Sequence, residues 1–237
     1  MGSKGMLARA LPSWIPGQIQ GEWFMLSAKT WLWSITGIVY AFFVIWYTDF
    51  GGPLTPEEIA YYEQRLVQSG ASAEERERIG RFMREDDGSQ FIMVNLLDLS
   101  DAPPTLAATG ADAPASALLA HYMEHMYPAL LSRASHPVFA GAAVFSLLDV
   151  AGIQGADHWD QAALMRYRSR RDLMAIASDP AFNGRHEYKL AALTKTLAFP
   201  VNTTMYSHDL RVMMMLIGLS LAALIDLLFL RPRDQNY

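Results

Sequence analysis

The chain contains no cysteine. That removes disulfides, thiolate metal sites and cysteine nucleophiles, and it leaves the redox compartment undecided. Charge is also scarce. Only 18% of residues are Asp, Glu, Lys or Arg, against about a quarter in ordinary soluble domains. The net charge of −5 excludes the basic face that phosphate-backbone binding needs, so nucleic acid is not an expected partner. No Ser-His-Asp order, phosphate loop, haem attachment sequence or paired-carboxylate spacing stands out, and no cofactor is expected. No repeat of 20–50 residues is visible, and the only biased tract is the Ala/Pro-rich stretch at 102–117.

What the chain has instead is apolar residues, 51% of the total, concentrated in two runs. Thr30 to Thr48 is 19 residues without a charge; as a helix it spans about 28 Å, close to the roughly 30 Å hydrocarbon core of a bilayer. Trp31, Trp33, Trp46 and Tyr47 flank it as interfacial aromatics do. A cleaved signal peptide fits less well than an uncleaved anchor, because the apolar core is long and no Ala-x-Ala site follows. Val212 to Leu230 is a second run, bounded by Arg211 and Arg231 and holding one acid, Asp226. An acid inside a span is a functional flag by default, with snorkelling or a polar contact to a neighbouring helix as the plainer reading. Residues 1–29 read as an interfacial tail and 231–237 as a C-terminal tail.

Between the runs lies an α+β pattern. Thr55-Pro56-Glu57-Glu58 and Ser72-Ala73-Glu74-Glu75 are two capping boxes, which place a helical pair at 55–86. Phe91 to Leu97 is apolar but for Asn95 and is bounded by turn residues, as a buried strand is. Leu118, Tyr122, Met126 and Leu130 recur at helical spacing. Val138 to Val150 reads as a strand, as do an alternating Trp159 to Arg168 and a final Leu197 to Met205. A helix interrupted at Asp179-Pro180 fills 169–196. The order strand, helix, strand, strand, helix, strand over 90–206 is the ferredoxin-like plan.

The segments FIMVNLL, HYMEHMYPALLSRASHPVFAGA, WDQAALMRYRSRRDLMAIASDPAF and HEYKLAALTKT resemble a small bacterial family of unknown function. That family belongs to the dimeric α/β-barrel superfamily, with muconolactone isomerase, antibiotic-biosynthesis monooxygenases and chlorite dismutase. The resemblance covers about 85–200 and the helical pair before it. It departs from the family where Tyr-Pro-Ser-Arg becomes Tyr167-Arg168-Ser169-Arg170 and where a Gly-Gly pair becomes Ala134-Ser135. It implies pairing of two sheets face to face, by self-association or with a partner, and transfers no catalytic residue.

Candidate site residues are few. His121-Tyr122-Met123-Glu124-His125 matches the inverted zinc-protease pattern H-x-x-E-H, but no third ligand is evident, so His121 and His125 read as half-exposed neighbours of the apolar stripe. Asn95 shares a strand face with Phe91, Met93 and Leu97 and must be hydrogen-bonded there. It either lines a pocket, with Trp159, Asp160 or Arg166, or bonds backbone at a strand end. His186 and Glu187 read as solvated helix surface. Arg166, Arg168, Arg170 and Arg171 read as makers of surface ion pairs.

Two functions fit. The first is a non-catalytic accessory subunit of a larger respiratory or photosynthetic membrane complex, docking to other integral subunits. The second is a membrane-tethered enzyme or binding protein for a small apolar molecule. Flanking charges set the orientation. Arg9, Lys29, Arg231 and Arg233 on the terminal side outnumber Arg65, Lys195 and Arg211 on the domain side. The expectation is a two-pass protein of the bacterial inner membrane with cytoplasmic termini and a periplasmic domain.

Overall fold

The computed structural model describes residues 17–203, 206 and 208–230, with side chains from residue 28 onward. The chain divides into two compact units, Met1–Val44 with His208–Tyr237, and Ile45–Ser207.

The first unit is built on two helices, α1 (Gly17–Tyr47) and α7 (Leu210–Ile225), the latter continued by a short π-helical segment, Asp226–Leu230. Stretches of each, Ala28–Tyr47 and Leu210–Leu230, are long and apolar enough to cross a membrane. The helix at α1 starts at Gly17, well before the expected Thr30, so the latter half of the expected tail is helical. No proline or glycine pair between Gln18 and Thr30 stops the helix from propagating. The tail at 231–237 and residues 1–16 lie outside the described residues. Asp226 has a partner: Lys29 Nζ lies 3.2 Å from its carboxylate, and Trp33 Nε1 donates to it at 3.5 Å. Of the readings open for this acid, the contact to a neighbouring helix is the one observed.

The second unit begins with a helical hairpin, α2 (Pro56–Gln68) and α3 (Ala73–Arg84). Both capping boxes form as the sequence demands, Thr55 with Glu58 and Ser72 with Glu75. Leu54, Tyr62, Leu66 and Met83 of this region bury against Met174 of a later helix.

A four-stranded antiparallel sheet follows, made of β1 (Phe91–Leu99), β2 (His136–Ala142), β3 (Gln161–Tyr167) and β4 (Leu193–Val201), in the order β2-β3-β1-β4. The long helix α4 (Ala115–Leu131) connects β1 to β2, and α5 (Arg170–Ala177) and α6 (Pro180–Ala191) connect β3 to β4. Ala115, Leu118, Tyr122, Met126 and Leu130 are the buried face of α4, the stripe that the 3.6-residue period predicts. At roughly 1.5–3 kcal/mol for each large apolar side chain, that stripe dominates the packing of helices on sheet. Both edge strands carry proline, Pro137 in β2 and Pro200 in β4, which is where a ladder tolerates a missing donor.

Three expected strands move. The second ends at Ala142 instead of Val150, because residues 143–160 form an extended loop. The third is shorter at both ends, leaving Trp159 and Asp160 outside it. The last begins at Leu193, four residues early, because Thr194 and Thr196 favour extended backbone. Ala134, at a position where the resemblance expects glycine, has φ of 50°, a left-handed backbone that an L-residue enters only at a cost.

Arg166 holds one end of the sheet together. It is 1% exposed. Its guanidinium donates to Gln90 Oε1 at 2.6 and 2.9 Å, to the Ala134 carbonyl at 2.6 Å and to the Tyr47 carbonyl at 3.0 Å. The same group lies 3.6 Å from the centroid of the fully buried Tyr47 ring, close enough for a strong cation–π attraction. The Tyr47 hydroxyl shares a hydrogen bond of 2.7 Å with His136 Nε2. Replacing Arg166 by Met is expected to cost about 3 kcal/mol, since hydrogen bonds from a charged group contribute about 1.5–3 kcal/mol and buried carbonyls are left unmet. A urea titration followed by tryptophan fluorescence should show the midpoint fall; an unchanged midpoint would refute the role.

Candidate functional site

Strand parity divides the sheet into two chemically different faces. Phe91, Met93, Asn95 and Leu97 of β1 and Ala163, Met165 and Tyr167 of β3 point toward α4, α5 and α6. Ile92, Val94 and Leu96, with Ala162, Leu164 and Arg166, point the other way.

On the helix side lies a cavity of about 310 Å³. Its walls are mostly apolar, with Met93, Tyr122, Met126 and Met165 among them. Asn95 sits on its floor. The Asn95 amide donates to the carbonyls of Met93 (3.2 Å) and Ala163 (3.3 Å), which turns Oδ1 toward Lys189 Nζ at 3.3 Å. Asn95 thus bonds backbone at the middle of β1 and not at a strand end, while its oxygen meets Lys189 within the cavity lining. Lys189 and His186 come from α6, three residues apart and hence on one helix face. The Lys189 ammonium is 5.9 Å from the Tyr122 ring centroid, and burial lowers its pKa. His186 stacks on Phe182 at 4.9 Å. Its Nδ1 is buried and has no hydrogen-bond partner among the described residues. Burial, and then the neighbouring Lys189, lower the pKa of this imidazole. No carboxylate lines the cavity among the described residues.

The other expected pocket residues are elsewhere. Arg166 lies on the opposite face, since its even parity in β3 points it away from Asn95. Trp159 sits beyond the strand end, with Lys195 Nζ 5.0 Å from its ring centroid. Asp160 accepts from the Leu99 amide at 2.6 Å, and that bond holds its carboxyl below the ordinary range. Around it, Asp98 and His158 complete a cluster of ligand-type side chains. Lys195 Nζ lies 3.6 Å from the Asp98 carboxylate, and His158 Nε2 lies 3.2 Å from that of Asp160.

His121 and His125 do not gather a third ligand among the described residues. Arg185 instead places its guanidinium 3.1 Å from His121 Nδ1 and donates to the His121 carbonyl at 2.7 Å. Beside the buried Arg166, the other arginines of the cluster are partly buried. Arg168 pairs with Asp172, Arg170 with Asp86, and Arg171 with both Asp49 and Glu58. These bonds tie the start of α5 to the segment that precedes the sheet.

The sequence reading missed Lys189 and placed His186 on the surface. Phe182, His186 and Lys189 are spaced i, i+4, i+7, the period of a buried face, so the signal was present but carried by polar residues.

No family model matches the chain, and no curated protein matches it. Among solved structures it is similar to a protein of unknown function from Rhodopseudomonas palustris. That match has 19% identity and a TM-score of 0.45, over 55% of this chain and 94% of the other. The methylated form of the same protein matches at 18% identity and a TM-score of 0.46, over 56% and 93% of the two chains. A protein from Arabidopsis thaliana matches at 14% identity and a TM-score of 0.31, over 49% and 98%.

Lys189 makes a stability prediction. A lysine whose folded pKa lies below its unfolded value burdens the folded state at pH values where both forms are charged. The burden fades as pH rises from the lowered value to the ordinary one near 10.4. Lys189→Met should therefore raise the melting temperature at pH 7, with the gain shrinking as pH approaches 10. Differential scanning calorimetry across that range checks it, and a gain that grows with pH would reverse the sign.

Proposed function

We propose that the chain is a non-catalytic accessory subunit of a larger membrane complex, anchored by α1 and α7 and docking to integral membrane partners through its α+β domain. The observation that carries this reading is the loop after β2. Val144 is 100%, Leu148 92% and Phe145 74% exposed, and Ile153 adds a fourth large apolar side chain facing water. Single exposed apolar residues are ordinary, but a contiguous set marks a surface that another molecule covers. The face of the sheet away from the helices supports the same reading, since Phe139, Leu197 and Phe199 are also exposed there.

The domain is a ferredoxin-like unit in this reading, of the kind that pairs sheets face to face. The β-α-β-β-α-β order with strands arranged 2-3-1-4 supports that topology. The two apolar helices cross the bacterial inner membrane, with termini cytoplasmic and the domain periplasmic. That orientation rests on the Lys and Arg balance at the helix ends.

Two experiments test the proposal. Full-length chain purified in mild detergent should bring stoichiometric membrane subunits with it, identified by mass spectrometry. The double variant Phe145→Asp with Leu148→Asp should lose them while its melting temperature stays within about 2 °C, as expected for surface substitutions of under about 0.5 kcal/mol. Retention of the same partners by the double variant would exclude the loop as the docking element.

Orientation has its own check. The 100–114 segment is largely exposed and turn-rich. Proteinase K added to intact spheroplasts should cut there. Protection until the cells are lysed would place the domain in the cytoplasm.

A further inference from the structure

The cavity has a chemistry that the docking reading does not use. Among the described residues the one charged group in its lining is Lys189, in walls that are otherwise mostly apolar. An ammonium has three N–H donors. One is committed to Asn95 Oδ1 at 3.3 Å, and no carboxylate pairs with Lys189 among the described residues. The Asn95 oxygen is itself aimed by two backbone carbonyls acting on its amide, so the position of the ammonium is built, not incidental. One turn away, the buried His186 Nδ1 has no partner among the described residues. Lys189, with two ammonium donors that no described residue takes up, and His186, with an unpartnered buried nitrogen, therefore line the same apolar space.

We propose that this cavity binds a small monocarboxylic acid with an apolar body, its carboxylate against Lys189 and His186 and its body among the methionine and tyrosine side chains. A single cation matches a single negative charge; a phosphate ester, with up to two charges and three oxygens, would leave charge uncompensated in an apolar site. Size narrows the class further. At roughly 30 Å³ per non-hydrogen atom, the share that one water takes in the liquid, the space holds about ten such atoms. That is an eight-carbon fatty acid or a single-ring arylalkanoic acid. Tyr127 and Ala140 line the cavity and are exposed, which marks a route in from solvent between α4 and β2.

The burial that depresses the Lys189 pKa fits the same picture. A charged group kept at a cost to stability is a common mark of a binding site, and an incoming carboxylate would supply the missing counter-charge.

The test is equilibrium dialysis of radiolabelled octanoate against the full chain in nanodiscs of zwitterionic lipid, with empty nanodiscs subtracted. One saturable octanoate per chain is expected. Lys189→Met should weaken binding tenfold or more, while Lys189→Arg should keep it within about threefold. Ala163→Leu, which fills the cavity and leaves Lys189 in place, should abolish binding while the protein still melts cooperatively. Octanol of the same chain length should bind at least tenfold more weakly than octanoate. The proposal is overturned by the absence of saturable uptake above the empty discs, by octanol binding as tightly as octanoate, or by Lys189→Met binding within twofold of the unmodified chain. Dialysis needs no partner protein, so its failure and a failure of the docking reading are separate results.

Discussion

A four-stranded sheet has two faces, and this chain has helices for one of them. That constraint organises the domain. On the covered face the α4 stripe from Ala115 to Leu130 packs on Phe91 and Tyr167, whose rings stack at 5.3 Å. The opposite face is handled differently along its length. At the end where Ile92, Arg166 and His136 lie in register, the buried Arg166 gathers the Tyr47 ring, the Ala134 carbonyl and Gln90 over the sheet. Desolvating a guanidinium is expensive, and here its donors meet carbonyl oxygens and its face meets an aromatic ring. Farther along, where Phe139, Leu164, Val94 and Phe199 lie in register, the rows stay apolar and partly exposed.

The covered face has its own imperfection. A core packed for stability alone would fill the space between Asn95, Met126 and Met165 with larger side chains, because each unfilled volume costs contacts. Here the wall methionines are flexible and polarizable, suited to adapting around a guest, and the helix side carries the Lys189 ammonium and a buried imidazole nitrogen. Both departures lower stability. They occur together at one place, and α6 brings Lys189 and His186 there while Tyr188, between them in sequence, points into the main core.

How far the residues foretold this depends on which signal each element uses. The capping boxes at Thr55 and Ser72 and the stripe Leu118–Leu130 were legible because they are local: a side chain bonds its own turn, or a period repeats within one helix. The alternation of Ala163, Met165 and Tyr167 was legible for the same reason. The segment 143–150 was not. Val144, Phe145, Leu147 and Leu148 have the composition of a buried strand, and composition cannot distinguish a residue buried by its own chain from one exposed for another molecule. Arg166 was misplaced because a charged residue next to other arginines reads as surface, and only the register with Ile92 and the arrival of Tyr47 from more than a hundred residues away make it internal. Lys189 failed for a related reason, since hydropathy discounts a lysine even where the helical period puts it on a buried face.

The two surfaces differ in what they can recognise. The loop after β2 offers area without polar direction, and non-directional burial suits a broad protein contact whose specificity comes from shape. The cavity offers little area but a fixed cation, and a few convergent polar groups in an apolar pocket are what select a small molecule. The pKa shifts of Lys189 and His186 arise first from burial. Lys189 disfavours the protonated form of His186, and burial raises the pKa of the Tyr122 and Tyr167 phenols that line the same cavity. In the proposal made for this cavity, Lys189 and His186 meet the carboxylate and the phenols stand among the apolar walls.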